Sequence, residues 1–241
     1  MRKLILSFAL LSILSGSYAQ SGEGGILKKA GNILNKNNSG SGLSSDDIVA
    51  GLKEALAQGT QKSVEKLSSA DGFFKDAAVK VLLPEEARQV EQKLRSLGMG
   101  KLVDDAILSI NRAAEDASKS AAPIFMSAVK KMTVQDGLGI LRGADTAATG
   151  YLRKSTSPEL VAAFKPVIES SLEKTGATKY WAAVFEAYNK VSLKKINPDL
   201  SSYVTGKAID GIFYYVADEE KKIRTNPAAR ATDLLKKVFG S

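Results

Sequence analysis

The chain has no cysteine and no histidine in 241 residues. Without cysteine there is no disulfide, no thiolate nucleophile and no zinc–sulfur site. Without histidine, no side chain titrates by default near neutral pH. A Ser-His-Asp or Cys-His arrangement therefore cannot be built, nor can the Glu-x-x-His sites of di-iron bundles. What remains is the chemistry of carboxylate pairs, Ser-Lys pairs, or hard cations held by oxygen, and these are thinly provided. Asp104 and Asp105 are adjacent, so on a helix they do not face each other. No segment has the acidic alternation, glycine and distal glutamate of an EF-hand. The run GLGILRGAD, Gly137 to Asp145, lacks both dinucleotide-binding spacing and a phosphate-loop lysine. No catalytic residue, metal site or cofactor is expected.

Long apolar runs are also scarce. The one at the start, MRKLILSFALLSILSGSYA, joins a basic segment (Arg2, Lys3) to an apolar run from Leu4 to Leu14 and small residues Ser17 and Ala19. This is the pattern of a secretory signal cleaved after Ala19. Gln20 then follows the cut, and no cysteine is there to carry a lipid. No other stretch approaches the roughly 20 apolar residues of a membrane span. The mature chain is expected to be soluble, unanchored and exported, in the periplasm or outside the cell. Residues 20 to 43, rich in Gly, Ser and Asn, read as a flexible leader with one short amphipathic piece, ILKKAGNIL. Residues 44 to 241 read as a single domain, long enough to bury a real core without cross-links.

Lys and Arg number 34 against 26 Asp and Glu, a net charge of +8; the two charges of Arg2 and Lys3 leave with the signal, giving +6. An exported basic protein is drawn to anionic lipid or to an envelope partner, although modest diffuse charge also simply confers solubility. No lysine or arginine block is interleaved with aromatics, so nucleic acid is not an expected partner.

What the sequence does contain is helical periodicity. The fold class it predicts is all-α, an irregular bundle of about eight to ten helices arranged around a buried helix near the C-terminus. That helix is Leu200 to Arg224, started by Asn197, Pro198 and Asp199 and ended by Asn226 and Pro227. Its middle carries apolar residues on nearly every side, which predicts burial all round. Ser44 or Ser45 caps the first helix, with Asp46 and Asp47 in its first turn. In the segment DGFFKDAAVKVLL, Asp71 to Leu83, Phe73 and Phe74 read as core anchors, and the run AAVKVLL, Ala77 to Leu83, as either an extended piece or a short helix. Pro84 opens a helix that Gly98 or Gly100 closes, Leu102 to Ser120 is amphipathic, Pro123 starts another helix, and Thr133 caps a short one. Asp145 to Lys154 is expected as one helix. Ser157, Pro158 and Glu159 read as the start of the next, which Pro166 should kink or split and Gly176 should end. Thr178 to Val191 places Tyr180, Trp181, Val184, Phe185 and Tyr188 in helical spacing, and the last helix is expected from Pro227 to Phe239.

Two groups of residues stand out as candidates. The first is a buried polar network of Asn111, Arg112, Glu115, Asp210, Arg224 and Arg230. Arg112 and Glu115 can pair at i, i+3; they either hold a polar ligand head or form an ordinary ion pair, and the ion pair is the favoured reading. Asp210 falls inside the apolar stretch next to Gly211, where a buried carboxylate needs a cation, with Arg112, Arg224, Arg230 or Lys207 available. The second group, Trp181, Phe185, Phe213, Tyr214 and Tyr215, either lines an apolar cavity or is simple core. DTAATGY, Asp145 to Tyr151, is small and polar, fit either to approach a ligand or to form a tightly packed turn.

Several pieces together resemble a family of exported bacterial proteins known as domain of unknown function family 4197. They are GLKEAL, DGFF, LLPEE, LVDDAILSINRAAEDA, PIFMSAVKKM, GILRGADTAATGYLRKST and SYVTGKAIDGIFYYVADEEKKIRTNPAARATDLLKKVFG, in order from Gly51 to Gly240. The resemblance implies a helical, envelope-located protein and carries no assigned activity. The function expected is that of a non-enzymatic binding or structural protein. A carrier of a lipid-like ligand is the alternative, and a carboxylate-dependent hydrolase is the remaining one.

Overall fold

The structure, a computed structural model, describes residues 44–178, 181, 189, 195 and 199–239. The signal and leader, Phe185, and most of the Thr178 to Val191 segment lie outside the described residues. Among the described residues there are eight α-helices and no strand. Helix α1 (Ser45–Ser68) opens on a reciprocal cap: the Ser44 hydroxyl accepts from Asp47 N at 3.1 Å while the Asp47 carboxylate accepts from Ser44 N at 3.0 Å. The chain then turns and extends through 69–84, passes one 3₁₀ turn (Glu85–Ala87), and enters α2 (Arg88–Ser96). Residues 71–79 form hydrogen-bonded turns, Lys75 N–H donating to Asp71 O at 3.1 Å and Lys80 N–H to Asp76 O at 2.8 Å, and 80–84 is neither helix nor turn, so 77–83 takes neither option throughout. Gly98, at φ +79°, closes α2: its own N–H donates to Arg95 O and that of Met99 to Leu94 O, at 3.1 and 2.9 Å. Helix α3 (Gly100–Ser118) follows, then α4 (Ala121–Lys131) and α5 (Val134–Leu141), which Thr133 and Asp136 cap as Ser44 and Asp47 cap α1.

Helix α6 (Ala147–Lys174) corrects a sequence expectation. It runs unbroken for 28 residues through both Pro158 and Pro166, so neither the new start at Ser157 nor a split at Pro166 occurs. The reason lies in the opposite face. Leu152, Thr156, Leu160, Phe164, Ile168 and Leu172 recur every four residues, each 0 or 1 % exposed, so the buried stripe is continuous across both prolines. Both prolines sit on the solvent side, where freed carbonyls can meet water. Ser155, Thr156 and Ser157 donate their hydroxyls to the carbonyls of Tyr151, Leu152 and Arg153 in the turn before Pro158. Gly176, at φ +70°, ends the helix as expected.

Helix α7 (Leu200–Thr225) is capped by Asp199, whose carboxylate accepts from Ser202 N at 2.9 Å. It packs against α1, α3 and α6, and α4 and α5 close the bundle on α1 and α6. Phe73, Phe125, Phe164 and Phe213 are the largest fully buried side chains of the shared core, with Phe125 and Phe213 edge to face at 5.6 Å. Gly211 admits that packing, since a Cβ there would lie 2.6 Å from the Phe73 ring. Burial of α7 is not all round, however. Ser202, Gly206, Lys207, Asp210 and Tyr214 form an exposed seam, with Tyr214 53 % exposed. Tyrosine and glycine count as apolar in a periodicity argument, yet both tolerate water, and this hid the seam.

The last expected helix is divided. A 3₁₀ turn (Pro227–Ala229) precedes α8 (Asp233–Phe239), with Arg230 between them. Arg230 turns inward, donating to Ile223 O at 3.1 Å and Arg224 O at 3.0 Å, and so satisfies carbonyls at the end of α7. Helix α8 lies on α1, close enough that a Cβ on Gly51 would meet Val238 at 2.8 Å.

Candidate functional site

The predicted polar network resolves into two separate assemblies and one outlier. In the first, Asn111 of α3, fully buried, treats the backbone of Val81 as a strand would: its amide oxygen accepts from Val81 N and its NH₂ donates to Val81 O, both at 2.8 Å. One turn on, Glu115 accepts from Phe73 N and Phe74 N, each at 3.1 Å, and from the Arg112 guanidinium at 2.6 Å. Arg112 also donates to Asp71 at 2.6 Å. The Lys75 ammonium, and then Arg112, hold the Asp71 carboxyl below the usual carboxylate range. The segment 71–81 makes only turn bonds of its own, and α3 supplies partners for the backbone of Phe73, Phe74 and Val81. Asp76 fastens the same segment to other helices, accepting from the Tyr215 hydroxyl and from Lys66 at 2.9 Å. Burial tends to raise the Asp76 pKa, but Tyr215 and Lys66 outweigh it and hold the carboxyl low.

The second assembly joins helix ends. Helix α6 has no side-chain cap of its own at Thr146. Glu220 of α7 takes that role, accepting from Ala148 N at 3.0 Å, Thr149 N at 2.8 Å and the Thr149 hydroxyl at 2.8 Å. A carboxylate at a helix N-terminus is favoured by the backbone dipoles as well as by the bonds. Arg224 pairs with Glu220 at 2.9 Å and donates to Ile140 O, at the end of α5, at 2.9 Å. Arg230 does the equivalent for α7. DTAATGY is therefore a packed helix start rather than a ligand loop.

Asp210 belongs to neither assembly. It stands on the exposed seam of α7, its side chain 60 % exposed, and pairs with Arg153 of α6 at 2.9 Å instead of any of the four predicted cations. The prediction of a buried carboxylate there is overturned by the geometry of α7, whose buried arc passes Asp210 by. Conversely, Glu220, Asp71 and Asp76 were missed. Glu220 sits in the charged run DEEKK and reads as solvated, but it continues the spacing Ile209, Phe213, Val216, Glu220, Ile223, all buried, and that register was a usable signal.

The predicted apolar lining is likewise dispersed. Phe213 fills the core, with the Arg153 guanidinium 4.5 Å from its ring centre. Tyr214 faces outward, and Tyr215 is half-buried, its hydroxyl spent on Asp76. Trp181 alone among the described members lines an apolar pocket, and its principal walls come from elsewhere. The pocket has a volume of about 220 Å³ and lies between α2 and α3. Val90 and Leu94 form its roof on α2, Val103, Ala106 and Ile110 its floor on α3, and Trp181 closes one side. Helix α2 contains no fully buried residue, packs chiefly on α3, and presents its apolar side to this space. Beyond it, Leu97 and Met99 at the turn are 62 and 43 % exposed. Among the described lining residues, the polar side chains at the solvent-accessible side are Glu91, Asp105, Ser109 and Thr175. Among the described residues, no three Asp or Glu side chains cluster as a metal site would require.

These features define an all-α protein whose polar interior joins loops and helix ends, with an apolar pocket under a thinly packed helix. The chain belongs to the DUF4197 family, proteins of unknown function, whose profile matches residues 42–240. No curated protein and no solved structure matches the chain. Among the described residues, no helix is long and apolar enough to cross a membrane.

Proposed function

We propose that this is an exported, unanchored binding protein of the bacterial envelope that takes up an apolar ligand in the pocket beneath α2, without catalysing a reaction. The observation that carries the reading is the pocket itself. Its volume of about 220 Å³ exceeds the roughly 150 Å³ at which an apolar cavity already accepts a benzene-sized guest. Its roof, α2, rests on one principal neighbour, so a ligand can enter by a small displacement of that helix. Export rests on the leader: Arg2 and Lys3, the apolar run from Leu4 to Leu14, and the small residues before Gln20. The absence of catalysis is supported by the polar interior, where Asn111, Glu115, Glu220, Arg224 and Arg230 each spend their hydrogen-bonding groups on backbone or on one another.

The test is mass spectrometry of the gently purified mature chain, native and then after solvent extraction. A stoichiometric apolar small molecule is expected on the natural sequence and lost from Ala106→Phe, whose new ring fills the pocket. A protein that is empty as isolated and takes up no added apolar compound overturns the reading.

A further inference from the structure

An apolar pocket of this size selects its ligand by what stands at the mouth, because the walls discriminate little among hydrocarbon chains. Four polar side chains stand there: the carboxylates of Glu91 and Asp105 and the hydroxyls of Ser109 and Thr175. All four are at least partly exposed, whereas the floor residues Val103 and Ile110 are buried. No lysine or arginine among the described residues lines the pocket. Among the described residues, two cations pair with those same carboxylates and their neighbour. Arg95 donates to Glu91 at 3.0 Å and to Asp104 at 2.8 Å, and Lys101 to Asp105 at 2.8 Å. Among the described lining residues an incoming anion meets carboxylate oxygens and no cation, and Arg95 and Lys101 could reach it only by breaking an existing pair.

Resting on the reading of the pocket as a ligand site, we infer that its ligand is an amphiphile whose head carries no negative charge. The tail lies between α2 and α3, and the head sits among Glu91, Asp105, Ser109 and Thr175, where hydroxyls can donate to or accept from it. The net positive charge of the chain, which suggested an anionic lipid, is not carried by the described residues that line the pocket.

Trp181 is the only tryptophan of the chain and lies in the pocket wall, so its fluorescence reports occupancy directly. The experiment titrates the mature protein at neutral pH with three probes of equal chain length: decan-1-ol, decyltrimethylammonium and decanoate. Decanol and the ammonium are expected to bind at least about tenfold more tightly than decanoate, a difference of about 1.4 kcal/mol. In the double variant Glu91→Gln, Asp105→Asn, Arg95 and Lys101 lose those partners; decanoate should gain about tenfold while decanol is unchanged. Decanoate binding the natural protein as tightly as decanol overturns the inference, as does a double variant in which decanoate gains nothing. If none of the three probes binds, the pocket is not a ligand site and the proposed function falls with it.

Discussion

Glu220 illustrates how a single side chain can hold two helices. It is 8 % exposed, accepts three hydrogen bonds from the start of α6, and is paired with Arg224. Removing it leaves two backbone N–H groups and a guanidinium uncompensated in a largely buried place. Glu220→Ala should cost about 3 kcal/mol, read as a fall in the urea midpoint. Asp210→Asn, on the exposed seam, should change stability by no more than about 0.5 kcal/mol in the same assay. Equal costs at the two positions would contradict the division drawn between buried and exposed carboxylates. Asp199 provides the pH dependence. Its capping bonds, first to the Ser202 hydroxyl and then to Ser202 N, lower its pKa from 3.8 to about 2. A carboxyl depressed on folding contributes stability that is fully present above its unfolded value and is lost as pH falls through its folded value. The loss should therefore develop between about pH 4 and pH 2. Asparagine caps as well without titrating, so Asp199→Asn should flatten the acid limb of a stability–pH profile and leave the neutral value nearly unchanged.

Among the elements, α6 shows where a local rule yields to packing. Pro158 and Pro166 each argue for a break, and residue by residue the argument is sound. The stripe from Leu152 to Leu172 prevails because six side chains bury fully along one continuous face. The price is still present in the helix: Pro166 withholds a hydrogen bond and crowds the preceding turn. Pro166→Ala should raise stability by about 1–3 kcal/mol, visible as a higher denaturation midpoint, and a fall would mean that the proline is required by packing not apparent in its exposure. The same contrast explains what was legible in the sequence. Caps at Ser44, Thr133 and Asp199 and the terminating Gly98 and Gly176 depend on neighbours within a turn, and each was readable. Asn111, Arg112 and Glu115 were recognised as a group because they share one turn of α3. Their partners in 71–81 were not, since nothing local ties Val81 to Asn111, 30 residues away. Asp210 was misplaced for the converse reason, a breadth of apolar residues on α7 that conceals a seam.

For the whole molecule, the polar interior accounts for architecture, and the pocket beneath α2 is a feature without a structural role among the described residues. The assemblies around Glu115 and Glu220 fasten a loop to α3 and the start of α6 to α7. The pocket beneath α2 fastens nothing; it leaves apolar surface of Val90 and Leu94 partly uncovered, at a cost in burial that a bound ligand would offset. Its walls were not legible in the sequence, because Val90, Leu94, Ala106 and Trp181 come from three segments and only their arrangement in space creates the space between them. Ligand binding there makes a quantitative demand. A compound present at 100 times its dissociation constant stabilises the state that binds it by about 2.7 kcal/mol. For a domain of this size that is a rise in melting temperature of roughly 5–10 °C. The most direct measurement is the melting temperature of the mature protein and of Ala106→Phe, each with and without saturating decan-1-ol. The account predicts a rise of that order for the natural sequence and none for the variant. No rise in either, or an equal rise in both, would contradict it.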